Sequence, residues 1–260
     1  MADVHSCCLT IAGSDSGGNA GIQADLRAFH AYGLHGCTVL AALTAQNPHG
    51  VSAILPVPPD FVAAQLDAVL GVYNIKALKT GMLADPAVIE VVAERIATHS
   101  EIMRVVDPVM VATSGAKLAA GDAVEAMKRH LLPVATVITP NIPEAEVLCG
   151  RKASPAELAK ELHGRFGCAV VVKGGHGRSD RAVDVLCDAS GDNREFVMPW
   201  VENPASTHGT GCTFAAALAA ELALGRGVVH AIEGAKRHVQ AAIAGSCLVG
   251  EGCGVLGFVR

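Results

Sequence analysis

Apolar and polar positions alternate along the chain with two periods. Short runs rich in β-branched residues stand at 8–13 ("CLTIAG"), 37–45 ("CTVLAALTA"), 75–81 ("IKALKTG"), 103–111 ("MRVVDPVMV"), 135–140 ("ATVITP") and 168–175 ("CAVVVKGG"). Between them lie longer segments with helical spacing at 21–32, 58–69, 86–99, 121–132, 143–148 and 154–166. Strand alternating with helix predicts a mostly parallel sheet covered on both faces, because these runs are too apolar for one side to meet water. The runs 181–188 and 193–199 follow each other without a helix, which predicts an antiparallel edge hairpin turning at 190–193. No repeat, low-complexity tract or long linker interrupts the pattern, so 1–260 reads as a single domain.

Glycine and charge gather just after the strand runs, in "AGSDSGGNAG", "TAQNPHG", "KTGML", "DPVMVATSG", "TPNIPEAE" and "KGGHG". Six strand ends therefore meet on one rim, where open α/β sheets bind their ligands. The stretch "STHGTGCTFAAALAAELA" from Ser206 adds a two-glycine loop that empties into a helix of strong formers. Such a start leaves amides unpaired and carries about half a positive charge, a natural seat for an anion.

Composition narrows the partners. The chain is 51% hydrophobic and 17% charged with a net charge of −5, and no basic run provides the footprint that nucleic acid or an anionic membrane requires. Its start has no basic region followed by an apolar core, and no run of about 18 uncharged apolar residues occurs, which reads as a cytoplasmic protein. Nine cysteines show neither C-x-x-C nor metal spacing and read as reduced, so Cys212 stands out by position alone. Asp15 either binds ligand or satisfies its own turn, and His176 and His208 are assigned no task.

Two nucleotide motifs are excluded: G-x-x-x-x-G-K-[ST] is missing, and "GTGCTF" has Phe214 where the dinucleotide fingerprint needs glycine. What remains is the glycine-bounded helix start, Asn141 and Glu144 in N-x-x-E spacing, Asp107 at a strand end and Lys173 before two glycines. Phosphoryl transfer asks for all of these together, with Mg²⁺ held by oxygen ligands and shared with substrate phosphates.

Together "AGSDSGGNAGIQAD", "TAQN", "KTGML", "DPVMVATSG", "TPNIPEAE", "KGGH" and "THGTGCT" resemble the hydroxymethylpyrimidine and hydroxymethylpyrimidine-phosphate kinases of thiamine biosynthesis, in the ribokinase-like superfamily. The resemblance runs from Leu9 to the helix after Cys212 and implies a three-layer α/β/α sandwich. It implies an enzyme that uses ATP and Mg²⁺ to phosphorylate 4-amino-5-hydroxymethyl-2-methylpyrimidine and then its monophosphate, with a homodimer as the candidate assembly. Amides of Gly209, Thr210, Gly211 and Cys212 match the anion hole, and Cys212 matches the residue that receives or orients the substrate's hydroxyl proton, its thiol favoured as base by the helix terminus. Asp25, Gln46 and the backbone around Val109 match the pyrimidine site, Asn141 and Glu144 with Asp107 the magnesium site, and Lys173 a lysine facing nucleotide phosphate. The polar stretch after "KGGH" and the tail "GEGCGVLGFVR" depart from the family pattern, so the flap over ATP and the base contacts are expected to differ. A pyridoxal or pyridoxine kinase is the near alternative. A cysteine hydrolase built on Cys212 and His208, and a non-catalytic binder of the phosphorylated pyrimidine, are more distant ones.

Overall fold

The computed structural model describes residues 5–110, 121–175 and 181–257. Its strands are β1 (Cys7–Asp15), β2 (His35–Asn47), β3 (Gly50–Pro56), β4 (Ile75–Thr80), β5 (Met103–Val106), β6 (Val137–Ile138), β7 (Ala169–Lys173), β8 (Arg181–Cys187), β9 (Asn193–Pro199), β10 (Cys247–Gly250) and β11 (Cys253–Val255). The helices are α1 (Gly21–Ala31), α2 (Pro59–Leu70), α3 (Pro86–Ala97), α4 (Gly121–Ala126), α5 (Ile142–Cys149), α6 (Pro155–Phe166), α7 (Thr210–Ala223) and α8 (Val228–Ala244). Nine strands form one sheet in the order β3-β2-β1-β4-β5-β6-β7-β8-β9. Strands β2, β1, β4, β5, β6 and β7 run parallel, whereas β3, β8 and β9 pair antiparallel with their neighbours.

Alternation along each strand builds two cores. On β1, Leu9 and Ile11 face α2 and α3 while Cys8 faces α1 and α7; on β7, Val170 and Val172 turn one way and Val171 the other. Helices α2 to α6 cover one face and α1, α7 and α8 cover the other, giving the three-layer α/β/α sandwich of ribokinase-like proteins. Helix α7 lies flat on the sheet through Ala215, Ala216, Ala217, Ala219 and Ala220, none of which has exposed surface. Small side chains there bring the helix backbone close to the strands and fix its start at their carboxyl ends.

The hairpin expected at 190–193 is present, with Gly191 at φ 75 in its turn. Two features lie outside the sequence reading. Residues 50–56, most of which the sequence pattern assigns to no element, form β3, a mostly exposed edge strand whose Leu55 is 64% accessible. The tail, assigned no element by the sequence, forms the small β10–β11 ribbon. Among the described residues no helix is long and apolar enough to cross a membrane. Residues 111–115 of "DPVMVATSG", and 176–180 with His176 and the stretch expected to form the flap, lie outside the described residues.

Candidate active site

Strand β1 runs into a turn that organises itself. The Asp15 carboxylate accepts from the amides of Gly17 (2.8 Å), Asn19 (2.9 Å) and Ala20 (2.8 Å), so this residue satisfies its own loop. Helix α1 then starts at Gly21 with φ 57, where a Cβ would run into the Gly13 carbonyl. Across the sheet, Gly209 at φ 87 caps α7 without any side-chain cap, and a Cβ on it would collide with the Asn19 carbonyl. The amides of Gly211 and Cys212, in the first turn of α7, have no intrahelical partner and point out of the helix end. Gly209→Ala is expected to destabilise by about 1–3 kcal/mol through the left-handed backbone alone, and more through the collision, and to raise the KM for the phosphate donor. Thermal melts and initial rates check both effects.

These ends enclose a cavity of about 910 Å³. Gln46, Val109, Asp107, Asn141, Glu144, Lys173, Gly209, Thr210, Gly211 and Cys212 all line it. Gly13, Met82 and Val109 also border it, and Trp200, Val239 and Ile243 add large apolar side chains to its lining. Asp25 is the exception. It has no exposed surface and lies beneath the floor, bonded to Thr10 Oγ1 at 2.6 Å and to Lys79 Nζ at 2.9 and 3.0 Å. A carboxylate so enclosed does not reach a ligand, so its direct contact with a pyrimidine is corrected to a supporting position.

Asn141 and Glu144 form a reciprocal cap at the start of α5: the Glu144 amide donates to Asn141 Oδ1 at 2.9 Å, and the Asn141 amide donates to Glu144 Oε2 at 2.8 Å. The N-x-x-E spacing is thus a capping box as well as a candidate ion site. Burial first, and Asp107 second among the groups acting upward, push the Glu144 carboxyl to about 7 against the pull of Lys173 and the amides of Asn141 and Met110. Asp107 Oδ1 accepts from Lys173 Nζ at 2.8 Å and from Thr139 Oγ1 at 3.0 Å. Burial lowers the Lys173 ammonium, but Asp107 and Glu144 outweigh it and hold the group above its ordinary value. A Cβ placed on Gly211 would lie 3.6 Å from Lys173 Nζ and 3.9 Å from Asp107 Oδ2, which brings the start of α7 against this charged cluster.

Cys212 is half-buried at the same helix start. A helix N-terminus alone favours the thiolate, yet the balance runs the other way. Burial is the largest cause and pushes the thiol up, Asp25 and Asp107 add to it, and the Lys79 charge and a hydrogen bond from the Gly21 amide only partly compensate. At rest the group is a thiol. His208 offers no dyad: burial keeps it neutral, and its Nε2 lies 3.9 Å from Asp15 Oδ2 with no hydrogen-bond partner.

Two residue groups were missed. Lys79 hides in the apolar run "IKALKTG", where a second lysine in a buried strand was the available signal. Lys236 on α8 pairs with Asp184 on β8 at 2.6 Å, and both line the cavity. No local pattern links residues 52 positions apart.

A ribokinase-like sandwich with an uncapped helix start facing a lysine–aspartate pair defines a small-molecule phosphotransferase. The chain belongs to the phosphomethylpyrimidine kinase family, whose model matches residues 15–257. It is 44% identical over 253 residues to the hydroxymethylpyrimidine/phosphomethylpyrimidine kinase of Haemophilus influenzae, covering 95% of this chain and 94% of that one. It is also 48% identical over 250 residues to the thiamine biosynthesis bifunctional protein ThiED of Geobacter sulfurreducens, where 95% of this chain spans 51% of the longer relative. Among solved structures, the ADP complex of Bacillus subtilis pyridoxal kinase superposes with a TM-score of 0.90 at 37% identity, covering 98% of both chains. Phosphomethylpyrimidine kinase from Clostridium difficile 630 gives 0.80 at 36%, covering 91% of this chain and 98% of that one.

Proposed function

We propose that this enzyme transfers the γ-phosphoryl group of ATP to the hydroxymethyl oxygen of 4-amino-5-hydroxymethyl-2-methylpyrimidine, and then to the phosphate of the resulting monophosphate. The observation that carries the reading is the meeting in one cavity of the α7 start, the Lys173–Asp107 pair and Cys212. The amides of Gly211 and Cys212 receive the transferring group, and their fixed dipoles oppose the charge spread over its oxygens. Lys173 serves as a point charge toward donor phosphates. Gln46 offers both donor and acceptor to the edge of an aminopyrimidine, and Met82 with Val109 gives the ring a flat apolar bed.

Magnesium fits the donors present. Asp107 and Glu144 bring two carboxyl groups against the single ammonium of Lys173, and a hard divalent cation that keeps its own waters would favour the ionised form of Glu144, whose carboxyl burial and Asp107 hold at about 7. Such an ion would neutralise phosphate oxygens there.

Cys212 receives the hydroxyl proton in its thiolate form. The demand on it is modest, because a loose transition state places little positive charge on the attacking oxygen. Since burial makes the thiol the resting form, kcat/KM for the alcohol is expected to climb through neutral pH and beyond 9, the ordinary value for this thiol, as the accepting form grows. A pH profile that levels off near 7 would contradict that role.

The deciding experiment is a coupled ATP assay with the pyrimidine alcohol and its monophosphate tested separately, with product masses recorded. A pyridoxal-directed reading draws on the likeness to the Bacillus subtilis enzyme. Comparing kcat/KM for pyridoxal and the pyrimidine separates the two, and a large preference for pyridoxal sinks the thiamine assignment.

A further inference from the structure

Helix α8 turns Lys236, Val239, Gln240 and Ile243 to the cavity, an i, i+3, i+4, i+7 set on one face. The lysine of that face is buried, and its Nζ donates to Asp184 Oδ2 at 2.6 Å. The other Asp184 oxygen accepts from the Gly174 amide at 3.0 Å, the first amide beyond β7. An ion pair with so little exposure is costly to desolvate, and apolar side chains would fill its volume as well. Filling space therefore does not account for it.

The charges around it are paired crosswise. In the antiparallel β7–β8 ladder Lys173 stands directly opposite Asp184. Opposite residues place their Cβ atoms about 4.5–5.5 Å apart on one face of the sheet, a gap that a lysine side chain spans. Yet Lys173 Nζ bonds Asp107 Oδ1 at 2.8 Å, just after β5 and two strands along the sheet. Asp184 is taken instead by a lysine of the covering helix. All four residues line the cavity. The observed arrangement keeps Lys173 Nζ beside the start of α7, 3.6 Å from where a Cβ on Gly211 would stand.

We infer that Lys236 is a positioning residue for the phosphate donor: by occupying Asp184 it keeps that carboxylate from capturing Lys173, and so leaves the Lys173 ammonium at the phosphate seat. This rests on the role of Lys173 toward donor phosphates proposed above. Lys236 acts through Asp184 and Lys173 and touches no phosphate itself. Without its charge, the Asp184 carboxylate would be left buried with a single amide as partner and the Lys173 ammonium across the ladder. A buried charge short of partners is expensive, which is what would draw Lys173 away from Asp107. An asparagine at 184 removes that pull and still accepts from the Gly174 amide.

The test compares Lys236→Met with the double variant Lys236→Met, Asp184→Asn in the whole enzyme, by initial rates with ATP and the pyrimidine varied in turn and by calorimetric titration with ATP. Lys236→Met is expected to raise the KM and Kd for ATP on the order of 10-fold, the worth of one charge-assisted contact, while the KM for the pyrimidine changes by clearly less. The double variant, which has no carboxylate left to compete, should recover most of the ATP affinity. Lys236→Arg, which keeps a cation on Asp184, should stay near the wild type. Loss of folded enzyme lowers the apparent kcat without moving KM, so instability alone does not imitate this pattern. Where melting shows that Lys236→Met does not fold, Lys236→Gln, which still donates to Asp184 but carries no charge, is compared in the same way. A double variant as impaired toward ATP as the single one would mean that Lys236 meets the phosphates itself, and an unchanged ATP affinity or an equal rise in both KM values would make the pair structural only; each overturns the inference. A wild-type enzyme that binds ATP but phosphorylates no pyrimidine overturns the proposed function instead and leaves the calorimetric contrast readable, so the two failures are distinct.

Discussion

Cys212→Ala is expected to lower kcat for the alcohol acceptor by ~10²- to 10⁴-fold, the range for loss of a positioned general base. The melting temperature should barely move. The side chain is half-buried at a helix start, alanine is a good helix former, and the amide of residue 212 stays where it was, so the phosphate seat survives the change. Steady-state rates with thermal melts decide the matter. Turnover near that of the wild type would remove the proton-acceptor role and leave only the amides as machinery. Cys212→Ser is a sharper variant, since it keeps the shape and offers a hydroxyl that is far harder to ionise at neutral pH. It should resemble the alanine variant and not the parent.

Lys79→Met on its own should have the largest effect on folding. It strands the Asp25 carboxylate, which keeps only Thr10 as a partner in a site with no exposed surface. Breaking a buried pair from one side costs about 3–5 kcal/mol, whereas removing both charges together is close to neutral. For a chain of this size the single change should lower the melting temperature on the order of 10 °C, and adding Asp25→Asn should restore most of it. Scanning calorimetry of the single and double variants checks the contrast. A single variant as stable as the wild type would mean that the pair is not ionised.

Much of this architecture is legible in the chain. Parallel strands such as 168–173 are continuous apolar runs because both faces are covered, and their helices carry local start signals, as at Ser154 and Glu157, a capping box. Strand β3 is harder to read: its apolar residues Val51, Ala53, Ile54 and Leu55 do not alternate strictly as in a half-buried strand, and most of them stay exposed instead of joining a core. The rim of the cavity could be read because glycines and charged residues cluster after each strand. Asp25 could not be placed correctly, since its motif says which residues gather and not which of them lies a layer deeper. The thiol's proton affinity was equally hidden. It depends on how much water the fold removes and on carboxylates from α1 and the β5 end, none of them neighbours of Cys212 in the chain.

The alanine face of α7 has a further meaning for how enzymes of this design diversify. Methyl groups pressed onto the strands leave the helix no room to rock, so its first turn is anchored to the scaffold instead of adapting to whatever arrives. On the proposed reading, discrimination between acceptors falls to other residues that line the same cavity, Gln46, Met82 and Val109. A change of diet is thereby open to this framework through a handful of wall substitutions, with the transfer apparatus inherited whole.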